Sequence, residues 1–136
     1  MIDKVVEPYL RVSEMISSRT EHKPTIAMHN KKGIEVMQMV FASGTKHEWA
    51  KVIHERLTKL NADFYVFISE AYMKMGGKKE SSEVLFLMFV NRVGFVKMWL
   101  REILRDNENR RIGLSRPVIW DNRKGENVDG LFVLKW

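Results

Sequence analysis

The sequence predicts an α+β domain, with two helices packed on an antiparallel or mixed sheet of about six strands and residues 1–136 forming one unit. Three observations predict it. Apolar residues recur at helical spacing near the start of the chain and again over 46–60. Runs rich in β-branched and aromatic residues, Phe64 to Met73 and Val84 to Val90, are bounded by turn residues. Finally, 136 residues that are 45% hydrophobic and 29% charged carry enough apolar material for one core.

Residues 3–18 read as the first helix. Proline is tolerated in a first turn and breaks a helix interior, so this helix either starts near Glu7 or bends at Pro8. Tyr9, Val12 and Ile16 follow three-four spacing and are expected to face the core. Ser17 to Pro24 is a polar loop. Ile26 to Phe41 reads as a hairpin turning on Asn30-Lys31-Lys32-Gly33, where Gly33 is free to take a positive φ. Ile34, Val36 and Val40 share one face of its second strand, and Met37, Met39 and Phe41 the other. Two apolar faces place that strand in the centre of a sheet or under cover on both sides.

Thr45-Lys46-His47-Glu48 matches a capping box: the Thr45 hydroxyl accepts from the Glu48 backbone, and the Glu48 carboxylate reaches back to Thr45. The second helix, 46–60, carries the apolar stripe Trp49, Val52, Ile53, Leu57 and Leu60, and Asn61 caps its end. Strands follow at Phe64–Met73 and Val84–Val90, separated by the loop Gly76 to Lys79; Arg92-Val93-Gly94 is a turn. Phe95 to Asp106 fits two periodicities. As a helix it gathers Val96, Trp99, Leu100, Ile103 and Leu104 in one stripe; as a strand it alternates Lys97, Trp99, Arg101, Ile103 and Arg105 against Val96, Met98, Leu100 and Leu104. Short strands are expected at Ile112–Leu114, Val118–Trp120 and Leu131–Trp136, with Asp121 to Gly130 as a long surface turn. The order of elements places both helices on one face of the sheet.

Ile68-Ser69-Glu70-Ala71-Tyr72-Met73, Glu83-Val84-Leu85 and Ile103-Leu104-Arg105-Asp106 together resemble a set of small uncharacterised prokaryotic and viral α+β proteins. In these a strand ends in Ser-Glu-Ala-aromatic, a loop leads to Glu-Val-Leu, and a later strand carries Ile-x-Arg-Asp before a turn. The resemblance spans roughly residues 24–114 and implies a strand, rather than a helix, over 95–105. It implies no activity.

Charge and composition exclude several classes. There is no cysteine, so disulfide frameworks, thiol catalysis and thiolate metal sites are ruled out. The longest apolar run, Val84 to Val90, is far short of the about 20 residues of a spanning helix. The start of the chain shows no signal-peptide core. A cytoplasmic protein with no membrane partner and no cofactor is therefore expected. The net charge is +6 and favours an anionic partner. Residues 1–73 hold ten basic and nine acidic side chains, and residues 74–136 thirteen and eight, so the excess is C-terminal.

Familiar catalytic patterns fail on spacing. His47-Glu48 and His54-Glu55 each open a zinc-protease motif, but Lys51 and Thr58 stand where the second histidine belongs. Gly76-Gly77-Lys78-Lys79 lacks the distal glycine and the Ser or Thr of a phosphate loop. No Glu-x-Lys follows a strand-borne Asp, as a metal-dependent nuclease requires. No metal site is expected.

Three functional readings follow from what is left. If 95–105 is a strand, Lys97, Trp99, Arg101 and Arg105 share one side, extended by Arg110, Arg111 and Arg116; an aromatic between cations suits nucleic acid, stacking a base beside phosphate contacts. Alternatively Trp99 is core and the cations form a solvated rim. Nine methionines and four tryptophans suit a second reading, an interaction module that forms a homodimer. The third is an enzyme with Glu70 as general acid or base, since alternation puts Glu70 on the apolar face of Phe64, Val66 and Ile68; the alternative for Glu70 is an ion pair with an Arg or Lys.

Overall fold

The computed structural model describes residues 2–74, 77, 79–125, 128 and 130–136. The chain runs α1 (Ile2–Ser17), β1 (Thr25–Asn30), β2 (Gly33–Gln38), α2 (Lys46–Leu60), β3 (Phe64–Met73), β4 (Ser82–Asn91), β5 (Val96–Arg105), β6 (Arg111–Leu114) and β7 (Val118–Asp121). This is the α+β class the sequence predicts. Every strand pairing is antiparallel. The sheet order is β2-β1-β3-β4-β5-β6, and β7 joins β5 alongside β6. β6 pairs the end of β5 and β7 its start, so the two short strands share one edge.

Residues 95–105 settle as a strand. Their register against β4 (Leu87 opposite Trp99, Leu85 opposite Arg101) puts Lys97, Trp99 and Arg101 on one face. β4 has apolar residues on both faces and is central, as its sequence requires.

Each helix covers a different face, which corrects the expectation that both share one. α1 packs Ile2, Val6, Tyr9 and Leu10 against Val66, Ile68, Leu85, Leu87, Phe89 and Trp99. On the other face α2 sets Ile53 and Leu57 against Ile26, Met28, Tyr65, Phe67, Met88, Val90 and Val96. An antiparallel sheet that is apolar on both sides needs cover on both. Residues 131–136 complete the α2 layer. They are not the strand that alternation suggests; their rings dock instead, Phe132 stacking on Phe67 at 4.9 Å and Trp136 lying 5.4 Å from Tyr65.

Of the two alternatives for the first helix, the structure has the one that runs through Pro8, since α1 starts at Ile2. Three local expectations change. The buried residues of α1 are Val6, Ser13 and Ser17; of the predicted stripe Tyr9 does pack on the sheet, whereas Val12 is 51% exposed and flanks that contact together with Ile16. β2 is an edge strand, not a central one: Ile34 and Val36 are 58% and 60% exposed. The capping box does not close, because the Thr45 hydroxyl donates to the Ala42 carbonyl at 2.7 Å. α2 does end at Asn61, whose left-handed backbone lets its N–H donate to Thr58 and the Ala62 N–H to Leu57. The loops predicted at Gly76–Lys79 and Asp121–Gly130 fall partly outside the described residues.

Candidate functional site

The cations of the predicted nucleic-acid surface lie on the α1 side of the sheet, and most are occupied there. α1 carries Asp3, Glu7 and Glu14 along one flank, toward β5. Lys97 donates to Asp3 at 2.8 Å, and Arg101 pairs with Glu14 at 2.7 Å. Arg105 grips both oxygens of Glu83, and Arg110 pairs with Asp106 and Glu108. Trp99 is 6% exposed, in the core beneath α1. The ring expected to stack a base is therefore covered, and its helix supplies the carboxylates that neutralise the neighbouring cations. Arg116 is exposed and has no ion pair among the described residues. Strand alternation correctly puts the cations on one face; it carries no information about which helix covers that face.

Glu70 and Arg111 form a clasp on the same side. Arg111 reaches both oxygens of Glu70, at 2.7 and 2.8 Å, and also donates to the carbonyls of Ser17 and Thr20. The Ser17 hydroxyl and the His22 N–H donate to Glu70 as well. Burial alone pushes the Glu70 carboxyl up; Arg111, Ser17 and His22 outweigh it and hold the group below the usual glutamate range. A carboxylate so fully engaged and held ionised is suited to tying α1 and β6 to β3, not to exchanging a proton with a substrate. A polar recess of about 310 Å³ beside it is lined by Glu21, Tyr72, Glu83 and Arg105 as well as the pair. Of the two readings of Glu70, the ion pair is the one found.

The open surface lies on the other flank of α1. Helical spacing turns Tyr9, Val12 and Ile16 toward β1 and β2, where no helix covers the sheet. There they wall a groove of about 590 Å³ with Pro8, over a floor of Thr25, Val36, Gln38 and Ile68. The predicted apolar stripe of α1 is thus real but faces this groove. Along its outer side runs β2, whose register bonds Gly33, Glu35 and Met37 to β1 and turns the N–H and C=O of Ile34, Val36 and Gln38 outward. Glu35 is held on the opposite face by Arg56, so the edge itself is uncharged. Sequence reading missed this edge because it judged β2 by its apolar faces and not by its neighbours. At the inner end of the groove the Tyr9 hydroxyl and His29 Nε2 share a hydrogen bond of 2.6 Å, and the His29 ring stacks on Phe64 at 4.3 Å.

His47 and His54 are exposed on α2, and among the described residues no group of three or more His, Asp or Glu is placed to hold a metal ion. None of the described helices is long and apolar enough to cross a membrane. Comparison of the chain with protein-family models, curated proteins and solved structures finds no match.

Proposed function

We propose that this protein is a non-enzymatic interaction module that pairs with a second copy of itself through the β2 edge. One observation carries the reading: β2 offers outward backbone donors and acceptors together with the exposed side chains of Ile34 and Val36. Exposed edges of this kind are normally blunted by charge, proline or cover; here the only charged residue of the strand, Glu35, is drawn back by Arg56.

Antiparallel pairing about a two-fold axis at Val36 suits the strand. Val36 then meets Val36 of the partner subunit, and Ile34 meets Gln38 of the partner subunit, all on the α1 side. The Lys31-Lys32 turns fall at opposite ends of the paired strands, so like charges stay apart.

Sedimentation across a wide concentration range tests this. The native chain is expected to dimerise and Val36→Pro to remain monomeric, because proline removes the outward N–H and leaves the β1 pairing untouched. A chain that is monomeric throughout, or a dimer indifferent to both Val36→Pro and Ile34→Lys with native circular dichroism, overturns the reading.

A further inference from the structure

We infer that the end of the molecule formed by the β1–β2 turn, the end of α2 and the β4–β5 turn is a binding surface for the phosphate backbone of nucleic acid. Its elements are tied together. Asn30 donates to the Leu60 carbonyl at 2.9 Å, Asp63 N–H to His29, Arg92 N–H to Asp63, and the Arg92 guanidinium to Asn61. Trp136 Nε1 donates to Ala62 at 2.8 Å, which brings the last residues to the same end.

Lys31, Lys32, Lys59, Arg92 and Lys135 are all exposed here, and none has an ion pair among the described residues. Asp63 lies among them, its backbone bonded to His29 and Arg92. By contrast Lys97, Arg101, Arg105, Arg110 and Arg111 on the α1 side are each matched by a carboxylate. At the end of α2 the carbonyls of Leu57, Thr58 and Leu60 already accept from Ala62, Asn61 and Asn30, so these three are not bare acceptors facing an anion. Arg92 and Lys135, with Arg123, also line a cleft of about 810 Å³. Arg123 is held by Asp121, but five cations without ion pairs among the described residues, two of them lining the cleft, suit a phosphate backbone read without base contacts. This surface is distinct from the sheet face expected from sequence and independent of the β2 pairing.

The test is fluorescence polarisation with labelled single- and double-stranded DNA, titrated at several salt concentrations. The native chain is expected to bind and to lose about a hundredfold in affinity between about 50 and about 200 mM salt, as about four phosphate contacts require. Lys31→Glu/Lys32→Glu/Lys135→Glu is expected to abolish binding, whereas Arg19→Glu/Lys51→Glu/Lys74→Glu, an equal change of charge at exposed sites elsewhere, retains most of it. No binding at low salt, equal loss in both variants, or binding to anionic phosphatidylserine vesicles but not to DNA each overturns the inference.

Discussion

Glu70 and Arg111 meet in a two-point ion pair, 2.7 and 2.8 Å, although β3 and β6 are separated in the sheet by β4 and β5. Strands lie about 4.8 Å apart, so the pair depends on two long side chains reaching toward each other across the end of the sheet. α1 closes over the junction through Ser17, which bonds both partners. Glu70→Ala leaves a largely buried guanidinium without its carboxylate and is expected to lower stability by about 3 kcal/mol. Because the two groups act as one unit, Glu70→Ala/Arg111→Ala should cost less than the sum of the single changes, by about 1 kcal/mol or more. Urea unfolding of the four proteins measures this; additive costs would show that the two groups contribute independently.

The same pair predicts an acid limb. The ordinary glutamate value is 4.5, and Glu70 titrates lower in the folded chain. The unfolded chain therefore takes up a proton first as the pH falls. Stability from this group is fully present above 4.5 and is lost as pH falls through the folded value. Glu83, held down by Arg105, and Asp3, held down by Lys97, act in the same direction. Glu70→Gln should be less stable than the native chain near neutrality and lose less on acidification. Parallel stability–pH curves for the two proteins would remove Glu70 from the acid response.

His29 sets a second, higher window. Burial lowers its pKa from the ordinary 6.5, and the ring shares a hydrogen bond with the Tyr9 hydroxyl. Here too the unfolded chain binds the proton first, so stability declines as pH drops below 6.5 and goes on declining to the folded value. The decline begins well above the carboxylate range, which separates the two effects. His29→Gln offers Tyr9 an amide oxygen and has no titrating ring. Its urea midpoint should stay level between about pH 7.5 and about pH 5.5, where that of the native chain falls. An equal fall in both would assign the change to another group.

These relationships were unevenly legible in the sequence. Local chemistry gave α2 its limits, because the apolar stripe and Asn61 act within a few residues. It also gave the alternation of β3, and with it the face Glu70 shares with Phe64, Val66 and Ile68, whereas β5 fits two periodicities and its face toward Glu70 depends on the register through β4. Partners were not legible, since an ion pair between residues 70 and 111 depends on sheet order. Nor was the choice of face for α1. Its apolar arc is wider than its contact with the sheet, and the buried serines at 13 and 17 sit where periodicity looks for larger apolar groups. The same ambiguity hid the groove, because Val12 and Ile16 read as core until a neighbour is assigned.

The last residues of the chain illustrate the same point and carry the final prediction. Leu131 to Trp136 alternates like a strand, yet its fixed points are hydrogen bonds to a buried phenol. The Tyr65 hydroxyl donates to the Phe132 carbonyl at 2.6 Å and accepts from the Leu134 N–H at 2.9 Å. Burial pushes that phenol well above its usual range, so it stays protonated and keeps both roles at any ordinary pH. Tyr65→Phe keeps the ring against Trp136 but strips both bonds, leaving a carbonyl and an amide of the C-terminal segment unmatched. It should cost about 2 kcal/mol. Amide exchange should speed up over 131–136 more than in β3 or β4, because the segment has no strand ladder to hold it. Unchanged stability together with unchanged protection of Leu134 would show that ring packing by Phe132 and Trp136 alone holds the segment to the α2 face.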